Sequence, residues 1–203
     1  MNKTIIGITG GSGSGKTYLS NKIINKFGDE KINIIKMDSY YKDLAHLSMQ
    51  EREVNNFDHP DAFDFELLVD HLNILFNEDS VKIPIYDYKT HTRKKNTKEI
   101  KYKPIIIIEG IFSMYYKKLR ELMDYKVFIA TSNKTRKERR INRDKISRDR
   151  TLDSILNQYE KMVEPMYEKY IKPMKNISNL IIKENDKNNI NINKLFKFIE
   201  LKL

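Results

Sequence analysis

ITGGSGSGKTYLS, residues 8–20, decides the fold. Small residues crowd this stretch, and Lys16 and Thr17 follow at once. Gly10-x-x-x-x-Gly15-Lys16-Thr17 is a complete phosphate-binding loop pattern. TIIGIT (4–9) precedes it as a β-branched run that predicts a buried strand. Leu19, Ile23, Ile24 and Phe27 follow at helical spacing. Between strand and helix, Gly10, Gly11, Ser12, Gly13, Ser14 and Gly15 are expected to turn their N–H groups inward around phosphate oxygens. Glycine is required there because a Cβ would obstruct that approach or the dihedrals it needs. A helix starting near Lys16 adds the positive end of its dipole. Lys16 is expected to bridge the β- and γ-phosphates, and Thr17 to offer its hydroxyl to Mg²⁺. The implied ligand is a nucleoside triphosphate with magnesium.

Outward from the loop, strands and helices alternate. KINIIKM (31–37), PIIIIEG (104–110), YKVFIAT (125–131) and SNLIIK (178–183) read as strands. Four consecutive isoleucines without polar alternation predict a parallel strand covered on both faces. FELLVDHLNILF (65–76) and NINKLFKFIELKL (191–203) read as helices, as does the very basic NKTRKERRINRDKI (133–146), with Asn133 as its cap. LDSILNQYEKMVEPMYEKYI (152–171) continues as helix, with a kink or break at Pro165. VKIPIYDY (81–88) and KEIKY (98–102) predict a hairpin, spanning 81–103, joined by a basic loop. The fold class is therefore α/β, a predominantly parallel sheet flanked by helices, in one domain over 1–203. No internal repeat or low-complexity linker interrupts it, and NDKNN (185–189) reads as a loop.

Net charge is +10 over 203 residues, with 33% charged and 39% hydrophobic residues. Charge alone speaks to solubility and non-specific attraction, so polyanionic ligands are expected and nucleic acid is not. The absence of cysteine excludes disulfides, thiol nucleophiles and Cys-ligated metals. No signal peptide is expected, and IIIIEGIF (105–112) is too short to cross a bilayer. The expected compartment is the cytoplasm.

Two carboxylates close strands at the sheet edge where ligands bind. Glu109 follows the four isoleucines, where such folds place an acid near the metal. Asp38 follows the second strand, where it could accept a proton from an alcohol attacking the γ-phosphate and hold a metal-bound water. A guanine-reading Asn-Lys-x-Asp is nearly matched by residues 133–136, but Arg136 stands where the accepting carboxylate belongs.

GGSGSGKT (10–17), DSYYKD (38–43), NFDHPDAFDFELL (56–68), IPIYDYKTHTR (83–93), IIIEGIF (106–112), RRINRD (139–144) and ILNQYEKMVEPMYEKYIKP (155–173) together resemble the bacterial uridine (uridine–cytidine) kinases among the P-loop nucleoside kinases. The resemblance covers roughly residues 4–183. It implies a P-loop NTPase fold with a hairpin over the nucleoside, a helical lid over 134–150, and a homotetramer. It also implies transfer of the γ-phosphoryl group of ATP or GTP to the 5′-hydroxyl of uridine or cytidine, in pyrimidine salvage.

By that resemblance Asp38 is the general base, and Thr17, Asp38 and Glu109 form the magnesium environment. Asp61 is the acid on the ribose hydroxyls, with Arg140 and Tyr41 also on the sugar side. Tyr86 and His91 read the base, Tyr88 packs on it, and Gln158 is a further substrate contact. Arg143, Arg148 and Arg150 belong to the lid. Three places depart from the family pattern. Asp149 replaces the lid glycine, 130–134 lacks the usual acids, and 183–186 lacks the usual glycines near the adenine.

Overall fold

The isoleucine run becomes a strand because both of its faces are covered. Ile105 and Ile107 pack with Ile6, Ile8, Leu19 and Ile23 on one side, and Ile106 and Ile108 pack with Ile5, Ile35, Leu68 and Phe128 on the other. Fully burying one such side chain is worth about 1.5–3 kcal/mol, so the uninterrupted apolar run outweighs any need for a polar face. The computed structural model describes residues 3–148 and 150–203, with Ser147, Arg148 and Lys187 described by backbone alone.

The main sheet is five-stranded and parallel, in the order β2 (Ile32–Lys36), β5 (Ile105–Glu109), β1 (Thr4–Thr9), β6 (Tyr125–Ala130) and β7 (Leu180–Lys183). One face is covered by α1 (Lys16–Phe27) and α8 (Ile190–Glu200). The other is covered by α3 (Phe65–Glu78), by a hairpin of β3 (Ser80–Asp87) and β4 (Thr92–Lys101), and by part of the segment that follows α5 (Asn133–Arg148). Short helices α2 (Met49–Glu53) and α4 (Lys117–Glu121) fill connections. Among the described residues, no helix is long and apolar enough to cross a membrane.

Register assembles the site. Ile8 and Lys36 both lie opposite Glu109, so β1, β5 and β2 end level at their carboxyl ends. The loop after β1, the carboxylate of Glu109 and the turn at Met37–Tyr40 carrying Asp38 therefore meet on one edge.

Three expectations change. The basic residues of the hairpin lie in a strand rather than a loop. Pairing runs from Ser80 opposite Lys101 to Asp87 opposite Thr92, with a bulge between Pro84 and Tyr86, and β4 is exposed along most of its length. Lys94, Lys95, Lys98 and Lys101 tolerate this because the outer edge faces water. Pro165 does not break its helix. α6 (Leu152–Gln158) runs into a π-helical turn (Tyr159–Val163), α7 (Glu164–Met166) and a second π turn (Tyr167–Ile171). Widening the turns spares the hydrogen bond that a prolyl nitrogen cannot donate. Finally, Ser132 rather than Asn133 caps α5, its hydroxyl accepting from the Thr135 N–H at 3.3 Å.

Candidate active site

Loop 10–15 is shaped from behind. Gly13 has φ +77°, and a Cβ there would come 2.5 Å from the Arg136 carbonyl oxygen. At Gly11 it would meet the Arg136 guanidinium at 2.7 Å and the Tyr167 ring at 3.0 Å. Arg136 is only 1% exposed and is held on three sides. Nε donates to Thr131 O at 3.2 Å, Nη2 donates to Glu164 at 3.0 Å, and the guanidinium stacks 3.6 Å from the centre of Tyr167. Burial pushes the Tyr159 phenol up to about 12, so it stays protonated and donates to Glu164 at 3.3 Å. Thr131 adds a hydroxyl bond to Ser14 O at 2.9 Å. Ser12 and Ser14 are buried within the loop.

Lys16 donates to Gly10 O and Gly11 O, each at 3.0 Å. Desolvation lowers its pKa, opposed by Glu109, then Asp38, with Arg143 adding to the lowering and Asp58 opposing it. One ammonium therefore feels both sheet-edge carboxylates, Arg143 and Asp58. Thr17 Oγ1 donates to Glu109 at 3.1 Å. Glu109 is 6% exposed, and burial raises its pKa against the pull of Lys16, with Asp38 raising it further. A buried carboxylate beside a hydroxyl and a second carboxylate suits a hard divalent cation. Among the described residues, no three His, Cys, Asp or Glu side chains cluster to hold a metal. Magnesium does not need such a cage, since substrate phosphates and water complete its shell. Thr17, Glu109 and Asp38 are thus the residues that fit Mg²⁺.

Beyond Asp38 lies a cluster of aromatic side chains. The Tyr88 hydroxyl donates to Asp38 Oδ2 at 3.0 Å, and its ring meets Tyr86 edge-on at 5.5 Å. Tyr41 packs on Phe63 (4.2 Å), Tyr86 (4.9 Å) and Phe57 (5.5 Å). His91, at the hairpin tip with φ 54°, stacks on Phe57 at 4.6 Å and 15°. The structure thus gathers Asp38, Tyr41, Tyr86, Tyr88 and His91 into one cluster.

Asp61 does not join them. Three acids recur every third residue in 58–64, and each meets a different fate. Asp64 caps α3 through the Leu67 N–H and pairs with Arg93 at 3.2 Å. The Asp61 side chain is 89% exposed, 3.4 Å from His59, because the turn Pro60–Ala62 swings it outward. Asp58 is 6% exposed and lies 3.4 Å from Arg140, itself 4% exposed. Desolvation works against the Arg140 charge, but Asp58 and then Asp144 outweigh it and the pKa rises. Arg140 Nη2 also donates to Gln158 Oε1 at 3.0 Å. The buried acid beside the predicted sugar-side arginine is therefore Asp58, three residues before the exposed Asp61.

Arg143 reaches from α5 toward the loop, Nη2 lying 3.5 Å from Ser12 Oγ. Arg150 bonds Gln158 Oε1 through Nη1 and Ser154 Oγ through Nη2 at 2.8 Å. Arg143, Arg140 and Arg150 all surround Asp144, which is fully buried and which motif reading passed over. The Arg148 side chain and Asp149 lie outside the described residues.

The model of the phosphoribulokinase/uridine kinase family matches residues 5–191. A uridine kinase of Clostridium novyi (strain NT) is 47% identical over 192 residues, covering 95% of this chain and 92% of that protein. A uridine kinase of Streptococcus thermophilus (strain ATCC BAA-491 / LMD-9) is 47% identical over 188 residues, covering 93% and 89%. Among solved structures, a possible uridine kinase from Bacillus stearothermophilus superposes with a TM-score of 0.61 at 20% identity, covering 90% of this chain and 89% of that one. Phosphoribulokinase from Rhodobacter spheroides superposes at 0.67 and 15% identity, covering 90% and 70%. At those identities the structures share the fold alone.

Proposed function

The chain belongs to the phosphoribulokinase/uridine kinase family, and within it we propose that this protein phosphorylates the 5′-hydroxyl of uridine or cytidine with ATP or GTP as donor. The supporting observation is a single edge that joins a complete phosphate loop, the Thr17–Glu109 pair, Asp38 and an aromatic cluster ending in Asp58–Arg140–Gln158.

The mechanism follows from the residues. Loop 10–15 and Lys16 hold the triphosphate, and Lys16 leaves its present bonds to Gly10 O and Gly11 O for phosphate oxygens. Asp58 accepts from the sugar hydroxyls, with Arg140 and Gln158 fixing its orientation. Tyr86, Tyr88 and His91 face the base, with Tyr41 on the sugar side, and hydroxyl and imidazole groups can donate or accept and so tolerate uracil or cytosine. Asp38 takes the proton of the 5′-hydroxyl as its oxygen attacks the γ-phosphorus. The bond from that phosphorus to the β,γ-bridging oxygen breaks, and the nucleoside diphosphate leaves. When bound at Thr17, Glu109 and Asp38, Mg²⁺ neutralises charge on the phosphate oxygens. Arg143, Arg148 and Arg150 close over the phosphates and exclude water as a competing acceptor. The positive charge of α5 serves those phosphates rather than nucleic acid. The same reading places the protein in the cytoplasm as a homotetramer, which light scattering after gel filtration tests.

Purified protein with Mg²⁺ and ATP is offered uridine, cytidine, 2′-deoxyuridine and ribulose 5-phosphate, and products are separated by liquid chromatography. UMP and CMP are expected. ATP binding with no pyrimidine monophosphate, or turnover of the sugar phosphate alone, overturns the reading.

A further inference from the structure

We propose that Asp144 is a positioning residue that holds the arginines of both substrates as one array, an inference that rests on the reading above. Its carboxylate is fully buried on α5. Oδ1 accepts from Arg143 Nε at 2.8 Å. Oδ2 lies 3.4 Å from Arg140 Nε and 4.0 Å from Arg150 Nη1. Its main-chain oxygen accepts the Arg150 N–H at 3.3 Å, so it grips the far end of the lid segment by backbone as well as by side chain.

The three arginines serve different ends. Arg140 faces Asp58 on the acceptor side, and Arg143 reaches Ser12 in the phosphate loop. Arg150 shares Gln158 Oε1 with Arg140. Guanidinium groups crowded together repel one another, and long side chains left to themselves sample many rotamers. One buried anion among them offsets part of that repulsion and selects one arrangement. Spacing explains why α5 can do this: Arg140 and Asp144 are four residues apart on one face, and Arg143 is adjacent in sequence.

Charge and position make opposite predictions for Asp144→Asn. Removing an anion near bound polyphosphate strengthens attraction by Coulomb's law alone, so binding should tighten. Loss of the array should instead weaken binding and slow transfer, since small misplacements of reacting groups are costly. The experiment measures binding of a non-hydrolysable ATP analogue with Mg²⁺ by calorimetry, and kcat and KM for UMP formation, in wild type and Asp144→Asn. We expect kcat to fall about 10- to 100-fold and the analogue to bind more weakly. A purely structural defect would lower the active fraction while leaving analogue affinity unchanged. In an Arg143→Met/Arg150→Met background, where Arg140 still faces the carboxylate, Asp144→Asn should cost less than it does in wild type, because residues acting as a unit are non-additive. Tighter or unchanged analogue binding overturns the proposal, as does a multiplicative effect of Asp144→Asn in that background. Where Asp144→Asn does not fold, Asp144→Glu keeps the charge and shifts it by a methylene; reduced kcat supports the proposal and wild-type kcat overturns it. If wild type itself forms no UMP, the proposed function fails, and analogue affinity still tests Asp144.

Discussion

Exchanging Asp58 and Asp61 separately for Asn sets a buried acid against an exposed one three residues away. Asp58 is 6% exposed and its partner Arg140 is 4% exposed, so a hydrogen bond from a sugar hydroxyl to Asp58 would form away from bulk water. Hydrogen bonds to charged groups contribute about 1.5–3 kcal/mol, which at 1.4 kcal/mol per decade is about 10- to 100-fold in KM for uridine. Arg140 would keep Asp144 at 3.4 Å and Gln158 at 3.0 Å, so the variant should remain folded. The Asp61 side chain is 89% exposed, and surface changes of this kind stay within about 0.5 kcal/mol, or roughly twofold. KM for uridine and for ATP is measured with a coupled assay of ADP release. Asp58→Asn should also narrow the preference for uridine over 2′-deoxyuridine, since the carboxylate is what counts the hydroxyls. A larger rise in KM for Asp61→Asn than for Asp58→Asn, or a change under twofold for Asp58→Asn, refutes the assignment of the sugar side to Asp58.

Asp38→Asn should leave ATP binding nearly intact and cut kcat by about 10²–10⁴; single-turnover transfer at the wild-type rate would remove Asp38 from the chemistry. Glu164→Ala leaves Arg136 buried without its carboxylate, at a cost of about 3 kcal/mol. At about 2–4 °C per kcal/mol for a chain of this size, Tm should fall by roughly 6–12 °C in calorimetry, and a shift under about 2 °C would deny the pair its structural role. Burial depresses the pKa of His71 below its ordinary 6.5, with Arg93 adding to this. The unfolded chain therefore binds the extra proton first, so stability drops as pH falls below 6.5. His71→Gln should show a shallower loss of Tm over that interval, and an identical slope would contradict the cause. Saturating MgATP at about 100 times Kd should add about 2.7 kcal/mol of stability, and Glu109→Gln should remove the magnesium-dependent part of the Tm rise.

Much of this was legible because it is local. The phosphate loop needs small residues at fixed spacing, and the parallel sheet needs uninterrupted apolar runs such as Ile105–Ile108. Asp38 and Glu109 could be placed because a residue just past a parallel strand can only lie at one edge of the sheet. What stayed hidden depends on distant partners. Asp58, Asp61 and Asp64 look alike until Arg140, solvent and Arg93 divide them. Asp144 is an ordinary charge on a basic helix until that helix meets Arg150 and packs inward. Arg136 read as a failed guanine motif, whereas its stack on Tyr167 and pair with Glu164 need residues from a separate helix. Helix ends were off by one residue at Ser132, where two adjacent polar residues both suit a cap.

The nucleotide cradle is written in the first seventeen positions but completed much later in synthesis. Its rear wall comes from Thr131, Arg136 and Tyr167. A nascent chain that has not yet exposed Tyr167 carries the motif without the surface that moulds it. Phosphate recognition should consequently emerge late on the ribosome, and no short amino-terminal fragment should retain it.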